Sequence, residues 1–240
     1  MSSLDPTALS SPQRSSPILR GIRDAVPVML GFVPFALVLG AQASQKGLSA
    51  LEVPLMTGLN FGGGSEFAAV ALWTSPPHLL LIAAVTLLIN SRHLLMGAAL
   101  APYLKDQPLR KVLPALFFMC DEVWALALAE ARRDGGRVNL RYYAGVAAAL
   151  YLTWVISTTL GAVIGPVMGD VTRFGFDMAF PAVFLVMLAG MWTGLRAALP
   201  WFVSLIAAAL ACLYLPGAWY VPVGAISGLI AAFALTKDRP

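Results

Sequence analysis

Residues 197–236 read AALPWFVSLIAAALACLYLPGAWYVPVGAISGLIAAFALT, 40 positions without an Asp, Glu, Lys or Arg. A helix needs about 20 apolar residues to cross the hydrocarbon of a bilayer, so this window holds two crossings. Leu215-Pro216-Gly217 divides it, because Pro cannot continue the hydrogen-bond ladder and Gly permits the turn. Charge-free windows also run over 25–45, 67–91, 142–169 and 178–195. Across all 240 residues, 59% are apolar and 12% charged, against about 25% charged in a soluble domain. The mean hydropathy is +0.78. This composition excludes a soluble globular protein, a disordered chain and a nucleic-acid binder. The net charge of +4 sits mostly in short connectors.

The fold class is therefore all-α, a multi-pass transmembrane helix bundle of about seven or eight helices. The windows predict helices near 25–44, 50–73, 78–103, 110–131, 142–168, 175–193, 197–214 and 218–235, the second interrupted by Gly62-Gly63-Gly64. The domain expectation is a disordered cytoplasmic tail over 1–22, a transmembrane domain over 23–236 and a short tail over 237–240. The Ser/Pro-rich start holds no apolar run of the kind a signal peptide needs.

Eight simple crossings with both termini inside place 10 Lys and Arg inside and 5 outside, the bias of the positive-inside rule. One conflict is local. Lys105, Arg110 and Lys111 precede most of the fourth helix, and Arg132, Arg133, Arg137 and Arg141 follow it. Both clusters cannot share a side if that helix crosses fully. A re-entrant element relieves this, and the broken second helix is a candidate. A faint echo also links Leu39-Gly40-Ala41 to Leu160-Gly161-Ala162, as internal repeats do in transporters.

A charge at mid-membrane costs about 2.5–3.5 kcal/mol, so Glu66, Arg92, His93, Asp121, Glu122 and Asp177 are the informative residues. Four carboxylates face one permanent cation. Crowding them in a poor solvent favours proton uptake by at least one, the requirement for proton coupling. Equally, Arg92 can bridge helices to Asp121 or Glu122. The run Asn60-Phe61-Gly62-Gly63-Gly64-Ser65-Glu66 invites unwinding, since each Gly costs a helix about 1 kcal/mol relative to Ala. Ser65 is then expected to cap a second half-helix whose free N–H groups face a carboxylate. Glu66 would answer an ammonium or carry a proton. The competing reading is close packing of a Gly58/Gly62 face. Asn90 offers an amide and Arg92 a bidentate contact for a carboxylate. His93 offers an imidazole, a side chain suited to proton transfer. Gly161, Gly165 and Gly169 read as a packing ridge. Trp124 and Trp154 read as bundle contacts. Cys120 and Cys212 lie in apolar runs and imply neither disulfide nor metal site. Catalytic motifs and a phosphate loop are missing, so neither an enzyme nor a cofactor is expected.

Taken in order, several segments resemble the AzlC family, the large subunit of two-component branched-chain amino-acid exporters. They are Gly31-Phe32-Val33-Pro34-Phe35, the Gly-Gly-Gly-Ser-Glu-Phe break and Leu88-Ile89-Asn90-Ser91-Arg92-His93-Leu94-Leu95. Leu100-Ala101-Pro102-Tyr103-Leu104, Cys120-Asp121-Glu122-Val123 and Phe176-Asp177-Met178-Ala179-Phe180-Pro181 follow. The resemblance spans about Arg20 to Leu235, and Glu66 stands where the family usually has Gln. It implies a bacterial inner-membrane permease that exports valine, leucine, isoleucine and methionine against protons with a small AzlD-type membrane partner. The residues expected to hold substrate are Asn60, Gly62, Gly63, Gly64, Ser65, Glu66, Asn90 and Arg92. Those expected to carry protons are Glu66, His93, Asp121, Glu122 and Asp177. A transporter or channel for another small solute, or a membrane subunit of a larger complex, is the alternative.

Overall fold

The computed structural model describes residues 16–133, 135–168, 194–215 and 219–237, with 185, 189 and 192. Its helices are α1 (Pro17–Gln45), α2 (Glu52–Asn60), α3 (Gly64–Ala71), α4 (Leu79–Asn90), α5 (Arg92–Leu104), α6 (Leu109–Phe117), α7 (Asp121–Arg133), α8 (Leu140–Met168), α9 (Leu195–Tyr214) and α10 (Tyr220–Lys237). No strand occurs among the described residues. Among the described residues, four helical stretches are long and apolar enough to cross a membrane: Pro17–Gln45, Leu79–Leu104, Leu140–Val167 and Leu195–Tyr214. The expected all-α multi-pass bundle with an interrupted second helix is the observed architecture. The expected helix over 175–193 lies outside the described residues except at 185, 189 and 192, and Gly169, Asp177 and most of the N-terminal tail lie outside them too.

The chain forms two compact units, one of Met1–Glu66 with Asn90–Gly169 and one of Phe67–Ile89 with Asp170–Pro240. The first is built on α1 and α8. These run parallel, because Gly21 abuts Tyr142 and Val146 while Gly40 abuts Thr158 and Ala162. Gly161 faces the backbone of Leu37, and Gly165 that of Ala41. A Cβ at any of these sites would collide with the partner backbone, so small residues set the approach, as in membrane helix pairs. The predicted ridge is real at Gly161 and Gly165, and the two echoing triplets pack against each other. In the second unit α9 and α10 run antiparallel, with Gly224 against Ala208 and Gly228 against Ser204. Ser204 Oγ donates to the Gly224 carbonyl at 2.8 Å.

Three boundaries correct the sequence reading, the briefest being a one-residue turn at Ser91 that parts the expected third helix into α4 and α5. Helix α1 starts at Pro17 rather than 25, with Ser16 accepting from the Leu19 N–H and Pro at the first turn. That Ser-Pro start is a strong N-terminal signal, and residues 17–22 of the expected tail are helical. The expected fourth helix is two helices, parted at Phe118–Cys120. Pro114 removes one ladder donor just upstream.

This second break resolves the charge conflict. Helix α6 runs along α8, with Tyr143 donating to the Ala115 carbonyl at 2.7 Å and Phe118 on Tyr151 at 5.0 Å between centroids. Helix α7 then returns. Its Glu130 pairs with Arg20, which lies over the Tyr142 ring near the start of α8. Beyond α7, the Val138 N–H bonds the Tyr103 carbonyl at 3.0 Å and Arg137 meets Asp106 at 3.2 Å. Helix α6 has 9 residues and α7 has 13, about 13 and 20 Å, against about 30 Å of hydrocarbon. The pair is a hairpin with the dimensions of a re-entrant element, and both basic clusters lie at one end of the unit, with Arg20 and Arg23. The positive-inside rule assigns such an end to the cytoplasm.

In a background without native thiols, Gln107→Cys and Arg133→Cys should label from one side of the membrane and Lys46→Cys from the other. Labelling of Gln107→Cys and Arg133→Cys from opposite sides would show α6–α7 to be a full crossing.

Candidate functional site

Both breaks are anchored on one face of α8. Tyr151, Trp154 and Thr158, three and four apart, share that face. Helix α2 enters capped by Ser49 and Glu52, which exchange bonds of 2.7 and 3.2 Å, a capping box. It descends antiparallel to α8, with Thr57 on Thr158 at 3.1 Å and the Gly58 carbonyl accepting from Tyr151 at 2.9 Å. The helix stops at Phe61, whose φ of 44° is left-handed. Such a conformation costs a non-glycine about 1–2 kcal/mol. Burial of the Phe61 ring, edge-on to Tyr151 at 5.2 Å, offsets this. Gly63 follows at φ 56°, and α3 starts at Gly64.

Glu66 lies in the first turn of α3, 1% exposed. It accepts from the Trp154 indole N–H at 2.7 Å, the Gly62 N–H at 2.9 Å and the Asn60 amide at 3.2 Å. Glu66 thus ties the break to the midpoint of α8 rather than standing open to a solute. Ser65 is not the expected cap: its Oγ accepts from Asn60 at 2.8 Å, and Gly64 opens the helix. Asn90 donates to Asn60 at 2.8 Å.

Arg92, in the first turn of α5, donates to Asp121 at 2.7 Å and to the Gly62 carbonyl at 2.8 Å. Of the two readings of Arg92, the bridge to Asp121 is the one present. Gly62 is therefore gripped twice, its N–H by Glu66 and its carbonyl by Arg92. A Cβ there would lie 2.8 Å from Asn90 Oδ1 and 2.9 Å from Asn60 Nδ2, so the residue serves this cluster and not a Gly58/Gly62 packing face. Asp121 and Glu122 occupy the first turn of α7, where the helix dipole favours anions. His93 Nδ1 is 3.0 Å from the Asn90 carbonyl. The shielded atoms Arg92 Nε, Asn90 Oδ1 and Trp124 Nε1 have no hydrogen-bond partner among the described residues.

The structure thus gathers Asn60, Gly62, Ser65, Glu66, Asn90, Arg92 and Asp121 around one break, with Gly63, Gly64, His93 and Glu122 beside them in the chain. Asp177 lies outside the described residues. Trp154 and Tyr151 were missed as site residues. The signal for Trp154 was an indole N–H deep in an apolar helix, a donor that needs a partner when buried. Three or more His, Cys, Asp or Glu do not cluster as a metal site among the described residues.

A family model described as AzlC protein matches residues 27–168, the stretch that carries both breaks. The chain belongs to the AzlC family. The inner membrane protein YgaZ of Escherichia coli strain K12 is 29% identical over 171 residues, 70% of this chain and 66% of the relative. The branched-chain amino acid transport protein AzlC of Bacillus subtilis strain 168 is 28% identical over 173 residues, 70% and 65%. An uncharacterized membrane protein of Archaeoglobus fulgidus is 28% identical over 182 residues, 75% and 78%. The chain thus spans just under two thirds of the length of the first and second of these. No solved structure matches it significantly. This AzlC-family chain is a membrane protein.

Two substitutions test the cluster. Glu66→Gln turns one acceptor oxygen into a donor facing N–H groups, a loss of about 1–3 kcal/mol. Gly62→Ala drives a methyl into the Asn60–Asn90 contact. Each should lower Tm in detergent by several degrees, at about 2–4 °C per kcal/mol, while Gly31→Ala, in open space, should not. Unchanged Tm in the first two would remove the structural role given to Glu66 and Gly62.

Proposed function

We propose that this protein is a secondary transporter of the bacterial inner membrane. It exports valine, leucine, isoleucine and methionine in exchange for protons, together with a small AzlD-type membrane subunit. The observation that carries the reading is the meeting of two broken helices at mid-depth of α8, with Glu66, Arg92 and Asp121 between them. Discontinuous helices with charged groups at the midplane are how secondary transporters hold zwitterions. The printed name of the Bacillus subtilis relative supports the substrate class.

In this reading Arg92 takes the substrate carboxylate. Asp121 occupies the guanidinium meanwhile, so substrate binding displaces it, and a carboxylate that loses its cation takes up a proton more readily. Asp121 is the first candidate for the coupled proton. Glu66, Glu122, His93 and Asp177 are the further candidates. Asn60, Asn90 and the backbone of Gly62–Ser65 would receive the substrate ammonium as the break opens. The aliphatic side chain needs no polar partner.

The test is efflux from cells preloaded with labelled valine, leucine, isoleucine and methionine, with and without the small partner. Arg92→Gln should lower efflux at least tenfold, the loss of a charge-assisted hydrogen bond of about 1.5–3 kcal/mol. Asp121→Asn should leave efflux measurable but insensitive to collapse of the proton gradient. Efflux that ignores both variants, or that never saturates, would point to a passive channel.

A further inference from the structure

We propose that the groove between α6 and α8 is a binding site for one anionic phospholipid of the leaflet that meets the basic end of the unit. This is independent of the substrate reading. Two cavities share a wall there. One, of about 530 Å³, is lined by Gln107, Lys111, Arg137, Asn139 and Arg141 and by no acidic residue. The other, of about 570 Å³, is lined by Pro114, Phe118, Tyr143, Ala144, Ala148 and Tyr151 among others. Lys111, Leu140 and Ala144 belong to both.

The chemistry of each part is one-sided. Arg137 is already paired with Asp106 at 3.2 Å. Lys111 and Arg141 form no ion pair among the described residues. Two cations are thus free for a phosphate at the headgroup level. In the groove, the Tyr143 and Tyr151 hydroxyls are spent on the carbonyls of Ala115 and Gly58. Their rings, with Phe118 and the exposed methyls of Ala144 and Ala148, leave an apolar wall. From Leu140 to Leu152 the groove follows α8 for about 18 Å, close to the depth of one leaflet. Basic pockets of this kind between membrane helices select anionic headgroups. A free phosphate would fill only the mouth. The lipid would bridge the re-entrant α6 to the α8 scaffold.

The test is native mass spectrometry of the full-length protein titrated with phosphatidylglycerol, phosphatidylcholine and glycerol 3-phosphate. Phosphatidylglycerol should bind most tightly, and glycerol 3-phosphate should not displace it. The double variant Lys111→Gln/Arg141→Gln should weaken phosphatidylglycerol about 25-fold, at about fivefold per cation, and leave phosphatidylcholine unchanged. Ala148→Trp should block both lipids by filling the groove. Lys46→Gln, at the other end of α1, should change nothing, and unaltered Tm verifies folding of each variant. Equal binding of the two lipids, insensitivity to the double variant or displacement by glycerol 3-phosphate would overturn the proposal. So would a photocrosslinker at position 148 that captures a peptide of another membrane protein instead of lipid.

Discussion

The bond from the Trp154 indole to the Glu66 carboxylate is the constraint around which the first unit is arranged. It joins residues 88 positions apart and fixes the break after α2 to the midpoint of α8, one of the two 29-residue scaffold helices. A carboxylate in that position cannot be left unsolvated. The unwound Gly62-Gly63 backbone supplies part of what water would have given, and Trp154 and Asn60 supply the rest. The same unwinding frees the Gly62 carbonyl, which Arg92 takes. Break and side chain are therefore mutually dependent: removing the Glu66 side chain takes the acceptor from three N–H groups, and rewinding the helix removes one of those donors.

Around this point the unit divides into a rigid part and lightly held parts. Helices α1 and α8 touch backbone to backbone along their small residues, which favours a fixed pair. The hairpin α6–α7 is held by fewer and more polar contacts: Arg20 with Glu130 at its base, Arg92 with Asp121 near its tip, and the Phe118–Tyr151 ring pair. A substrate carboxylate that takes Arg92 would remove one of these. That places the hairpin, rather than the α1–α8 pair, among the elements expected to shift as the site opens.

Much of the fold was legible from charge. Long windows without Asp, Glu, Lys or Arg mark the crossings because burying a charge in hydrocarbon is costly, and the Gly triplet marks the first break because glycine unwinds cheaply. The second break was not legible from composition. Phe118-Met119-Cys120 contains no glycine, and its turn is held by tertiary contact with Tyr151 instead. The two basic clusters flanking it did carry the signal, since one crossing could not satisfy both. At the site, residue types were legible and partners were not. Ser65 looked like a cap because serine usually is one before an acidic first turn, but Asn60 competes for its hydroxyl. Trp154 read as packing because aromatic residues in apolar helices mostly pack.

The central claim is that Glu66 and Trp154 act as one unit that holds the break closed. A double-mutant cycle on thermal stability, with Glu66→Gln, Trp154→Phe and the pair, measures this directly. A coupling of about 1–3 kcal/mol is expected, because each single variant already strands the other partner. Strictly additive losses would mean that the two side chains are neighbours without dependence, and that something else holds the broken helix against α8.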